Sequence, residues 1–110
     1  MVSFETFNQL FDKALKVDDV EAFVRKTILM VEEPEEAWLL RSVWSIARDQ
    51  SMKNLAGICG MAVRRVAITL GMPTRTMEGW SGGFRKPSPW LFRMVVYAAL
   101  SNAYEENVKQ

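Results

Sequence analysis

Thr74, Arg75 and Glu78 are the residues of this sequence best suited to reading another molecule. Within a helical segment their spacing puts them on one face, with Gly79 beside them. A threonine hydroxyl donates and accepts, an arginine guanidinium offers a fork of donors, and a carboxylate only accepts. These groups match base edges in a DNA major groove: arginine to guanine O6 and N7, glutamate to cytosine N4, threonine to several bases. The cations around them suit phosphates instead. Arg64 and Arg65 begin the preceding segment, and Arg85 and Lys86 lie in the loop Phe84-Arg85-Lys86-Pro87, with Arg93 further on. Thr76 adds a hydroxyl for a phosphate. Each group also has a plain reading: Arg75 paired with Glu78, Thr74 and Thr76 capping the helix they begin, the remaining bases solvated.

Such a reading face has to be held by two short helices crossing closely. The crossing needs a small residue, which Ala67 supplies, and the turn needs a residue at ease with positive φ, which Gly71 supplies. Met72, Met77 and Trp80 then recur at intervals that press the second helix on the core. The flanking elements follow from caps and breakers. Ser51 caps a helix over residues 52–58 that Gly60 ends, residues 62–70 form the next, and residues 73–81 the reading helix, stopped by Gly82-Gly83. Ser88-Pro89 opens a last helix whose inner side is expected to be Leu91, Met94, Val95, Ala98 and Ala99, fraying from Glu105 onward.

The first fifty residues read as three amphipathic helices. Phe4, Phe7, Phe11 and Leu15 share a face of the first, which Ser3 begins. Asp18 or Asp19 caps a second, with Val20, Phe23, Val24 and Ile28 inward. Glu32-Glu33-Pro34-Glu35-Glu36 starts a third, since proline and carboxylates suit a helix's first turn. Its inner stripe is Trp38, Leu39, Val43, Ile46 and Ala47. Phe4, Phe7, Phe11, Phe23, Trp38 and Trp44 are expected to be buried internally or against a second copy.

Charge separates the two halves. Residues 1–50 carry ten carboxylates against six bases, a net −4, and residues 51–110 carry eight bases against three carboxylates, a net +5. A basic half gains from phosphate neutralisation through released counterions. With 49% apolar and 25% charged residues the 110-residue chain can bury a core, and it has no run approaching the ~20 apolar residues of a membrane helix. No secretory leader is visible, so a cytoplasmic setting is expected. Without histidine and with one cysteine, Cys59, the chain has no means for zinc sites or histidine-based catalysis. No paired carboxylates converge and no phosphate-cradling glycine loop precedes a helix, so neither an enzyme nor any cofactor or metal is expected.

Met52-Lys53, Leu55, Gly60, Ala67, Gly71-Met72-Pro73, Arg75-Thr76-Met77, Trp80, Gly83 and Pro87 fall in one ungapped register. In that register the chain resembles the repressor-like helix-turn-helix domains of the XRE type, typified by phage Cro and repressor. The resemblance covers about 50 of the 110 residues, Ser51 to Leu100. It implies an all-α fold with a helix-turn-helix DNA-binding domain over residues 51–110. Its recognition helix, at about 73–81, would enter the major groove of double-stranded DNA in a bacterial, plasmid or phage transcriptional regulator of repressor or antitoxin type. Residues 1–50 would then support the domain, form a homodimer or hold a protein partner. Four positions depart from the family, and at Ser81 glutamate is usual. Ala62 and Val63 stand where a capping hydroxyl and a glutamine are usual, and Gly79 where a longer polar residue is usual. They favour the alternative of a protein-interaction module, such as a phage-borne inhibitor or adaptor, that keeps this fold without reading DNA. Arg75, Arg85 and Lys86 favour DNA.

Overall fold

A computed structural model describes residues 1–27 and 33–108 of the chain. Among the described residues every regular element is helical: α1 (Phe4–Ala14), α2 (Val20–Thr27), α3 (Glu33–Arg48), α4 (Met52–Cys59), α5 (Val63–Leu70), α6 (Thr74–Ser81) and α7 (Pro89–Ala103). A π-helical turn, Tyr104–Val108, prolongs α7 where the sequence suggested fraying. Of the expected inner and capping residues, Ile28 and Glu32 lie outside the described residues, as do the side chains of residues 33–36. No helix among those described is long and apolar enough to cross a membrane.

The helix starts obey local chemistry. Ser3 Oγ accepts from the Thr6 amide at 3.1 Å, Asp19 Oδ2 from the Ala22 amide at 3.1 Å, and Ser51 Oγ from the Asn54 amide at 3.1 Å. Each satisfies a first-turn N–H that has no partner inside its helix. Gly60 and Gly71 end α4 and α5 in the left-handed conformation, at φ 71° and 72°.

The helices pack around α4 and α7. The first helix lies on α3 and α7, α2 lies on α3, and α3 turns onto α4. In turn α4 meets α5, α6 and α7, while α5 packs on both α6 and α7. One buried cluster therefore runs from Phe7, Phe11 and Phe23 in the acidic half through Leu40, Val43 and Ile46 to Leu55, Ala67, Met77 and Val96 in the basic half. A radius of gyration of 13.5 Å agrees with the ~13 Å of a single body this size.

Polar side chains fix the corners between helices. Arg48 on α3 donates to the carbonyls of Ala14 and Val17, lies 5.0 Å from the centre of the Trp44 ring, and shares Val17 O with Trp44 Nε1. Arg48 thereby occupies the last carbonyl of α1, that of Ala14, and the Val17 carbonyl just beyond the helix. Glu21 and Arg41 join α2 to α3 through two bonds of 2.7 and 3.2 Å, and this guanidinium holds the Glu21 carboxyl below its ordinary value. Asn54 Nδ2 reaches the carbonyls of Ser45 and Asp49 across the α3–α4 turn.

Several faces differ from expectation. On α7 the buried residues are Phe92, Val95, Val96, Ala99, Leu100 and Ala103, while Met94 and Ala98 are exposed and Leu91 is half-buried. On α1, Leu10 and Ala14 join Phe7 and Phe11 inside, Phe4 is half-buried, and Leu15 stands exposed as the C-cap. Trp38, Trp44 and Val20 are half-buried, and Leu40 and Ser42 complete the inner face of α3.

Cys59 is enclosed between α4 and α7, with its Sγ 3.7 Å from the Ala99 carbonyl. Burial pushes the thiol from 9.0 up to about 11. Between those values the unfolded chain ionises first, so the wild type loses stability as pH rises through that window. Chemical denaturation at pH 8 and again near pH 11 should show a larger loss for the wild type than for Cys59→Ala. Equal losses would mean that the thiol is not the responsible group.

Candidate nucleic-acid interface

The two-helix unit α5–α6 has the local geometry its sequence requires. Ala67 is fully buried at the crossing, its carbonyl accepts the Met72 amide at 2.9 Å, and the Gly71 amide bonds Ile68 O at 3.1 Å. This closure of the α5 end depends on the positive φ of Gly71, a conformation that side-chain-bearing residues resist. Met77 is fully buried under α6, and Met72 and Trp80 are half-buried against the same cluster. The second helix is thus held by one side, and its opposite side faces water.

That outer side carries the expected reading residues. Arg75 and Glu78 are exposed and Thr74 and Thr76 half-buried. Neither threonine caps α6: its N-cap is Pro73, which makes no side-chain cap hydrogen bond. Glu78 pairs with Arg64 of α5 at 3.5 Å, both side chains remaining more than half exposed, and not with Arg75. At that exposure the pair adds little stability, but it lowers the negative charge presented beside the reading face. Among the described residues Arg65, Arg75, Arg85 and Lys86 have no acidic partner. Ala62 precedes α5 without a side-chain cap, as its methyl group dictates.

Arg93 departs from the expected set. Its guanidinium binds Asp12 at 2.8 Å and Asn8 Oδ1 at 3.5 Å, and lies 4.4 Å from the centre of the Phe11 ring. With a side chain only 22% exposed it fastens α7 to α1 instead of standing free for a phosphate. Sequence spacing gave no hint of this, because Asp12 and Arg93 meet only through the tertiary fold.

The loop after α6 folds back over its end. The amides of Phe84 and Arg85 both bond the Gly79 carbonyl, at 3.0 and 3.2 Å. The aliphatic stem of Arg85 lies where a Gly79 side chain would point, 3.8 Å from a Cβ built there. So the place that Gly79 leaves empty on the outer face is bordered by Arg85, a relation between loop and helix that helical spacing cannot reveal. Gly79→Ala meets only ordinary contact and should stabilise the fold by up to about 1 kcal/mol through helix propensity. A fall in thermal midpoint for this variant would show that Arg85 cannot yield. Arg85 and Lys86 also border a cleft of about 280 Å³ with Gln50, Ser51, Trp80 and Pro87, which brings them beside the start of α4.

A second exposed surface lies elsewhere. Trp90, 65% exposed, and Met94 flank a groove between α1 and α7 together with Phe4, Asn8, Asp12 and Arg93. At that exposure Trp90 is a candidate for a partner surface. Among the described residues no group of three or more cysteine, aspartate or glutamate side chains is placed to hold a metal. Comparison of the chain with protein-family models, with curated proteins and with solved structures finds no match.

Proposed function

We propose that this chain binds double-stranded DNA, with α5–α6 acting as a helix-turn-helix and α6 lying in the major groove. What carries the reading is the outer side of α6: Arg75 without an acidic partner among the described residues, Thr74 one residue away, and Glu78 offset by Arg64. Arg75 forks onto guanine, while Arg65, Arg85 and Lys86 take phosphates on either side. The start of α6, left without a side-chain cap, presents its first amides where a phosphate is favoured. The function is sequence-specific regulation of transcription, of repressor or antitoxin type, in a cytoplasmic setting. One unit covers little DNA, so a homodimer reading two half-sites a helical turn apart is part of the proposal.

The direct test titrates the protein against a labelled mixed-sequence duplex across a salt series. Micromolar affinity that falls steeply with salt supports the reading. Absence of binding at low salt removes it.

The exposed Trp90–Met94 groove favours a second reading, a protein-interaction module that keeps the two-helix unit only as scaffold. An exposed tryptophan beside an apolar groove is the kind of anchor that partner surfaces use. The same titration separates the two, since this module leaves duplex DNA unbound.

A further inference from the structure

We infer that Phe84 is a further DNA-contacting residue, an aromatic wedge set against sugar and base at the edge of the groove that α6 occupies. The inference rests on the DNA reading of α6 and adds to it a contact that is apolar, not ionic. Phe84 is 87% exposed, the most exposed of the large apolar residues among those described. A flexible loop would let such a ring collapse onto the protein, but this backbone is fixed. The Phe84 and Arg85 amides share the Gly79 carbonyl, and Gly83 turns the chain at φ 80°.

The ring sits over Gly82, where a Cβ would come within 2.9 Å of its edge and within 3.3 Å of the Glu78 carbonyl. Only glycine at 82 leaves that place open. The ring thus lies at the end of the reading helix with most of its surface in water. Its neighbours select the partner. Arg85 and Lys86 follow directly, and residues 82–88 contain no carboxylate. A ring beside two unpaired cations matches a nucleic acid, whose phosphates take the charges while sugar and base offer apolar surface. In the major groove phenylalanine makes apolar contact with the thymine methyl group, and minor-groove proteins insert it between base steps.

The test compares wild type, Phe84→Ala, Phe84→Leu and Lys86→Gln on one labelled mixed-sequence duplex across a salt series. Phe84 contributes nothing to the core, so Phe84→Ala should melt with the wild type. Its affinity should fall about tenfold with an unchanged salt slope, since the lost contact releases no counterion. Phe84→Leu should recover part of that loss. Lys86→Gln should instead flatten the slope by about one unit. Wild-type affinity for Phe84→Ala overturns the wedge and leaves the DNA reading intact. A flattened slope for Phe84→Ala also overturns it, because the effect would then pass through the cations. Failure of the wild type itself to bind at low salt overturns the DNA reading, and a protein partner for the ring becomes the alternative.

Discussion

Phe11→Ala is expected to remove about 3–5 kcal/mol of folding stability and to lower the thermal midpoint by about 15–20 °C. Phe11 is 2% exposed at the junction of α1 and α7. Its ring centre lies 6.0 Å from that of Phe7 and 6.5 Å, edge to face, from that of Phe92, with the Arg93 guanidinium 4.4 Å away. Truncation loses the transfer energy of the ring, leaves a cavity between two helices, and strips Arg93 of its aromatic support. Domains of this size are stable by only about 5–15 kcal/mol, so a large share of the total is at stake. Urea denaturation measures it. A loss below about 1 kcal/mol would mean that α1 does not dock on α7 as described.

Arg75→Ala is expected to weaken binding to a selected specific duplex by about 1–3 kcal/mol, about fivefold to 150-fold, while changing affinity for mixed-sequence DNA much less. The asymmetry is the informative part. An arginine forked onto guanine contributes only where that guanine is present, whereas a phosphate contact contributes everywhere. Arg75→Lys should recover little, because a point charge cannot reproduce two parallel donors. The fold should be untouched, since the side chain is exposed and has no acidic partner among the described residues. Equal weakening on both duplexes would reassign Arg75 to the backbone, and no weakening on either would take it out of the interface.

Local signals were legible in the sequence. Ser3, Asp19 and Ser51 cap the helices they precede, and Gly60 and Gly71 end theirs, because these roles depend on a few neighbouring residues. Ala67, Met77 and Trp80 take the predicted sides of α5 and α6 for the same reason. The last helix was harder. From Trp90 to Leu100 only Arg93 is charged, so apolar residues point in every direction and periodicity cannot select a face. Packing selects it: α7 turns Phe92, Val96 and Leu100 inward and leaves Met94 and Ala98 to solvent.

At the candidate interface the types of residue were readable and their pairings were not. Arg93 was grouped with the phosphate-binding cations because nothing in its own segment announces Asp12, eighty-one positions earlier in the chain. Glu78 could have paired with Arg75 on its own helix, yet it meets Arg64 across the turn. Gly79 looked like a gap in the reading face until the loop placed Arg85 beside it. In each case the partner comes from a different element, and helical spacing describes only one element at a time.

The central claim, that α6 is the surface that meets DNA, is tested most directly by amide chemical-shift mapping of the labelled protein during titration with a duplex. The largest shifts are expected at Thr74 to Ser81 and through residues 82–86, with Arg64 and Arg65 following and α2 unmoved. Shifts centred on Trp90 and Met94, or no shifts at duplex excess in low salt, would contradict it.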